Sequence, residues 1–150
     1  MSAKKTDSGG GFSAEERAAM KERASELKAS SRRGSGSKKA EADAKDCLEA
    51  IAAMPDADRV IAEALHAIVA ATAPGLAPKT WYGMPAYAKD GKVITFLKPA
   101  AKFKVRYAEV GFNEWARLDD GVMWPTVFAV TALNAEVEQA LTDLVRRATS

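Results

Sequence analysis

Three groups of side chains in this 150-residue chain have the types and spacing for chemistry. The first is aromatic and basic: Trp81, Tyr87 and Phe96 interleave with Lys98, Lys102, Lys104 and Arg106, a mixture that stacks on flat rings and neutralises anions. The second is acidic: Asp43, Asp46 and Glu49 recur three apart, with Glu41 ahead of them, and carboxylate oxygens suit a hard cation. The third is the pair Cys47 and His66, the only cysteine and the only histidine, a thiol and a base of the kind that can make a nucleophile.

Each group has a plainer reading. Cys47 recurs with Ala44, Leu48, Ile51 and Met54 at helical spacing, so it reads as a core thiol, and no third residue is evident to orient His66. His66 lies beside its own helix's apolar stripe, with Glu63 one turn back, and reads as a surface residue. The acids lie opposite the apolar stripe, where a solvated helix face belongs. One cysteine and one histidine rule out an internal disulfide, multi-cysteine metal motifs and histidine clusters within the chain. No nucleophile elbow, phosphate loop or dinucleotide fingerprint occurs, and Gly9-Gly10-Gly11 precedes no strand–helix unit. A binding protein is expected, not an enzyme.

The elements that must position these residues follow from periodicity. Residues 1–11 carry no apolar pattern and are expected to be disordered. Ser13 and Glu16 have the spacing of a capping box, which starts a helix running to about Ala29 whose thin apolar stripe is Met20, Ala24 and Leu27. Residues 30–39 read as a flexible linker. Ten Lys or Arg face five Asp or Glu in residues 1–39, so the net +2 of the whole chain hides a basic tail on a mildly acidic domain. Such a tail can touch nucleic acid, the alternative partner. From residue 40 a single domain is expected. One helix ends at Met54 before Pro55, and a second runs on Val60, Ile61, Ala64, Leu65, Ile68 and Val69 to Pro74-Gly75. The last helix starts at Asn134, with Val137, Ala140, Leu141, Leu144, Val145 and Ala148 buried.

Between them come strands. Asp90-Gly91 is a two-residue hairpin loop, which pairs Lys89 with Lys92, Tyr87 with Ile94 and Pro85 with Phe96. Pro99-Ala100-Ala101 then turns the chain into a third strand over 102–107, 108–121 is a connection, and 122–133 is a fourth strand. Pro85 and Pro125 fall on the edges of this meander. Alternation puts Tyr82, Met84, Ala86, Val93, Thr95, Leu97, Phe103, Val105 and Tyr107 under the helices. Trp81, Tyr87, Ile94, Phe96, Lys98, Lys102, Lys104 and Arg106 then form an open face for a protein or small-molecule ligand. The fold class is α+β, a two-layer sandwich of helices on one face of an antiparallel sheet of about four strands. No stretch suits a membrane span or a signal peptide, so a cytoplasmic protein is expected.

The order helix, helix, strands, helix, with Trp81-Tyr82-Gly83-Met84-Pro85-Ala86-Tyr87, Lys98-Pro99-Ala100-Ala101-Lys102-Phe103 and Met123-Trp124-Pro125, resembles the YdhG-like domain family over about residues 40–150. The resemblance implies a frataxin-like sandwich and, from a label some members carry, iron chaperoning. Iron is the only cofactor or cargo it implies, and the acids Asp43, Asp46 and Glu49 are where it would be held. Frataxin-type binding also uses acids on the first strand, and residues 81–87 contain none.

Overall fold

The computed structural model describes residues 11–150; the expected disorder of residues 1–11 concerns a segment that, save for Gly11, lies outside them. The protein is α+β. Three helices lead: α1 (Ala14–Arg33), α2 (Ser37–Ala52) and α3 (Asp56–Thr72). The strands β1 (Ala77–Trp81), β2 (Met84–Lys89) and β3 (Lys92–Lys98) follow, then the single-turn helix α4 (Ala100–Phe103), β4 (Ala108–Phe112), β5 (Val127–Val130) and α5 (Ala135–Ala148). The sheet is an antiparallel meander in the order β1-β2-β3-β4-β5.

One face of the sheet carries the main core. Tyr87, Leu97, Val110, Phe112 and Val130 pack with Cys47 and Ile51 of α2, Ile61, Leu65 and Val69 of α3, and Leu141 and Val145 of α5. These belong to the apolar stripes expected of the three helices, but Leu48, Val60 and Ala140, expected on the same stripes, lie at their margins and are exposed. Burying each large side chain contributes about 1.5–3 kcal/mol. α5 is capped by Asn134, whose side chain accepts from Val137 N at 2.9 Å.

The strands depart from expectation in three places, each with a local cause. Tyr82 and Gly83 both take positive φ, 54° and 75°, and form a two-residue loop that closes Trp81 onto Met84. The expected first strand is therefore cut in two, and Trp81 shares a face with Met84 instead of Tyr87. A bulge opposite Tyr87/Ala88 leaves Ile94 without a register partner, so Ile94 and Tyr87 both enter the main core. Finally, residues 100–103 are helical because the buried Asp58 carboxylate accepts from Ala100 N (3.1 Å) and Ala101 N (3.0 Å). Lys104 ends that turn in the left-handed region, φ 52°, and the strand expected over 102–107 begins only at Ala108. The sheet accordingly has five strands where about four are expected.

Pro85 lies on an interior strand, a correction to its expected edge position. In a two-residue hairpin the pair next to the closing pair is not hydrogen-bonded, so Thr80↔Pro85 needs no Pro85 N–H. On the β3 side the ladder stops at Ala86↔Phe96. The other sheet face carries a small second cluster, Ala86, Ala88 and Val93, with Trp81 and Phe96 against it. Gly111 makes room for this: a Cβ there would lie 2.2 Å from the Phe96 ring.

Candidate ligand seat under the first helix

α1 is built as its capping box requires, with Glu16 N donating to Ser13 Oγ and Ser13 N to Glu16 Oε1, both at 3.0 Å. It continues four residues beyond the expected end, and only Gly34-Ser35-Gly36 separates it from α2. The expected linker over 30–39 is thus mostly helix. The stripe by which α1 meets the domain is also different. Ala24 is exposed and Leu27 is 54% exposed, and Met20 sits at the margin. The buried residue is Ala19. Glu15, Ala19, Glu22 and Glu26 follow at spacings of four, three and four, which place them on one side of a helix, and this acidic stripe makes the contact.

Each acid on it meets a donor of the domain. Glu15 Oε1 pairs with Lys104 Nζ at 2.9 Å and Glu22 Oε1 with Lys102 Nζ at 2.7 Å. The hydrogen bond from Lys104 holds the Glu15 carboxyl below the usual carboxylate range. Both oxygens of Glu26 are used: Tyr82 N donates to Oε1 at 2.9 Å and Gly83 N to Oε2 at 2.8 Å. Two consecutive N–H groups at positive φ form an anion-binding concavity, and here a carboxylate of α1 fills it. Arg23 lies 5.8 Å from the Tyr82 ring centre, whose edge meets Trp81 at 5.0 Å. At the far end Arg33 bridges Asp43 (2.7 Å) and Asp46 (2.8 Å) of α2. Beside the N-terminal half of α1 a groove of about 210 Å³ is lined by Phe12, Met20, Tyr82, Met84, Lys98 and Phe103.

The expected open face is therefore dispersed. Tyr87 is 0% exposed beneath the helices, where its hydroxyl lies 2.9 Å from His66 Nδ1 and it shares the main core with Cys47. Trp81 and Phe96 do share the second sheet face, their rings 5.1 Å apart and partly buried. Lys98 stands over the Phe103 ring at 5.1 Å, and Arg106 over Tyr107 at 5.1 Å. Lys102 and Lys104, off the sheet altogether, belong to the seat of α1. Sequence reasoning did not single out Glu22 or Glu26; their heptad-like spacing with Glu15 is the signal that could have found them.

The acids proposed for a metal are engaged otherwise. Asp43 takes Arg33 and Lys39; burial raises its carboxyl, and these two bonds outweigh that and lower it. Asp46 shares Arg33, and Glu49 meets Lys45 at 3.8 Å. No group of three or more His, Cys, Asp or Glu among the described residues is placed to hold a metal ion. Burial pushes the Cys47 thiol up to about 11 and raises the Tyr87 phenol, which leaves neither ionised near neutral pH. No helix among the described residues is long and apolar enough to cross a membrane. No family model, curated protein or solved structure matches the chain.

Proposed function

We propose that the chain is a non-enzymatic, cytosolic binding protein whose partner surface is the seat of α1, and that this seat takes an acidic helical segment. The observation that carries the reading is the pairing of Glu26 with the two N–H groups of the Tyr82–Gly83 turn, in line with Glu22 on Lys102 and Glu15 on Lys104. One helix face supplies carboxylates at the positions where the domain supplies donors, so α1 acts as a tethered ligand for a site that another acidic helix can occupy. Of its 20 residues only Ala19 is buried, so the contact is mainly electrostatic and exchangeable. The nucleic-acid alternative keeps its basic tail but loses part of its aromatic and basic face, because Lys102 and Lys104 pair with carboxylates of α1.

The test is a triple variant, Glu15→Gln, Glu22→Gln and Glu26→Gln, titrated with a labelled peptide of residues 12–34. The variant's own α1 is expected to lose amide protection, and the wild-type peptide to bind the variant but not the wild-type chain, more weakly as salt rises. An α1 that stays as protected as in the wild type, with no uptake of peptide, overturns the reading.

A further inference from the structure

At the other end of β2 from the Tyr82–Gly83 turn, a second concavity of about 380 Å³ is lined by Leu76, Lys89, Asp90, Lys92, Ile94, Trp115, Arg117 and the chain end Ala148, Thr149 and Ser150. Its volume is within the range of small-molecule sites. Its charged side chains come from two places that the fold fixes independently. Lys89 and Lys92 are register partners flanking the Asp90-Gly91 loop, an arrangement in which like charges stand opposite each other at a cost.

Trp115 and Arg117 come from the segment after β4. Asn113 N donates to Ile94 O at 3.0 Å, Ala116 N to Asn113 O at 3.0 Å, and Arg117 N to Ala148 O at 3.1 Å. Ala116 and Leu118 are buried, 8% and 2% exposed, so Trp115 and Arg117 between and beside them face outward together. Trp115 remains 44% exposed, and Lys92 Nζ lies 5.6 Å from its ring centre.

The charge balance here differs from that of the α1 seat. There Lys102 and Lys104 each have a carboxylate partner. In this cleft Lys89, Lys92 and Arg117 make no ion pair with any described residue, and the lining holds two anions, the Asp90 side chain and the terminal carboxylate of Ser150. Three cations against two carboxylates leave the cleft net positive, and a guanidinium fork grips phosphate or carboxylate through two bonds. With Lys92 standing over one face of Trp115, a flat ring would stack on the other face.

We propose that this cleft is a binding site for a phosphate monoester carried on a planar aromatic ring, the phosphate held by Lys89, Lys92 and Arg117 and the ring by Trp115. A phosphate monoester supplies about two negative charges at neutral pH, and stacking on an aromatic side chain adds about 1–3 kcal/mol in the related case of bases.

The experiment titrates the full chain with adenosine monophosphate, O-phosphotyrosine, adenosine and inorganic phosphate at low salt, followed by heteronuclear NMR of the Trp115 indole and by calorimetry. At least one of the two ring-bearing phosphates should bind about tenfold or more tightly than either adenosine or inorganic phosphate, and the tighter of the two names the source of the ring. Arg117→Gln and Trp115→Leu should each weaken it by about tenfold or more. Both positions are exposed and the Arg117 backbone bond to Ala148 is untouched, and an unchanged NMR spectrum elsewhere verifies the fold. Absence of binding up to about 5 mM, inorganic phosphate binding as tightly as the ring-bearing esters, or binding unchanged in both variants overturns the proposal.

Discussion

The imidazole of His66 and the phenol of Tyr87 form a polar contact at the edge of the main core, and its protonation state has a measurable consequence. Burial lowers the His66 pKa from its ordinary 6.5, and only the neutral ring can accept from the Tyr87 hydroxyl at Nδ1. The unfolded chain takes up a proton near 6.5 while the folded chain does so at lower pH, so stability falls as pH drops through 6.5 and levels off below the folded value. The melting temperature should therefore decline between about pH 7 and pH 5, a step that His66→Gln removes. Asp58 gives a second residue-scale prediction. Its carboxylate, 4% exposed, holds two N–H groups of α4, and Asp58→Ala should cost about 1–3 kcal/mol in denaturant unfolding. That Cys47 is a core thiol was legible from helical spacing. Its neighbour Tyr87 was not, because alternation from an unbroken strand puts Tyr87 on the far face, and neither the Tyr82–Gly83 loop nor the bulge at Ile94 has an apolar signature.

Among the elements, α1 is the one whose attachment salt should govern. Its contacts are ion pairs of partly exposed groups and the bonds of the Glu26 carboxylate to two backbone N–H groups, and added electrolyte screens the ion pairs once the Debye length falls to a few ångströms. Hydrogen exchange over residues 14–33 should accelerate as salt is raised towards about 1 M, while α3 and α5, held by apolar packing, keep their protection; equal acceleration in all three would contradict the electrostatic account. Glu26→Ala alone should produce much of the same loosening at low salt, because it removes the acceptor for both Tyr82 N and Gly83 N. The start of α1 was legible in Ser13 and Glu16. Its docking face was not, since Met20, Ala24 and Leu27 are the only large or small apolar residues in register, and an acidic stripe is ordinarily solvated. The same applies to α4, whose cap comes from Asp58, 42 residues earlier for Ala100, beyond the reach of local pattern.

For the molecule as a whole, the main core draws on α2, α3, α5 and the sheet, and no residue of α1 or α4 belongs to it. Removing residues 1–36 should leave a cooperative fold with a melting temperature lowered by about 4–8 °C per kcal/mol lost, and should open the surface around Met84, Phe103 and Lys98; loss of cooperative unfolding would show that α1 is part of the folding unit. The meander and its covering helices were legible because the apolar stripes of α2, α3 and α5 and the Asp90-Gly91 loop are strong local signals. The pairing of faces was not, since the Tyr82–Gly83 turn, the bulge between β2 and β3 and the α4 turn each reset which side of the following residues meets the helices.

The Gly34-Ser35-Gly36 connection, with both glycines at positive φ, tethers α1 to α2 and so to the domain that carries its seat through three residues. So short a tether sets an effective concentration on the order of millimolar, and α1 stays bound to its own domain even if its intrinsic affinity is modest. A competing acidic helix must then be abundant, or bind far more tightly than α1, before it displaces it. Cutting the chain once within this tripeptide would abolish that advantage without changing any contact, and would turn an internal equilibrium into one that depends on dilution.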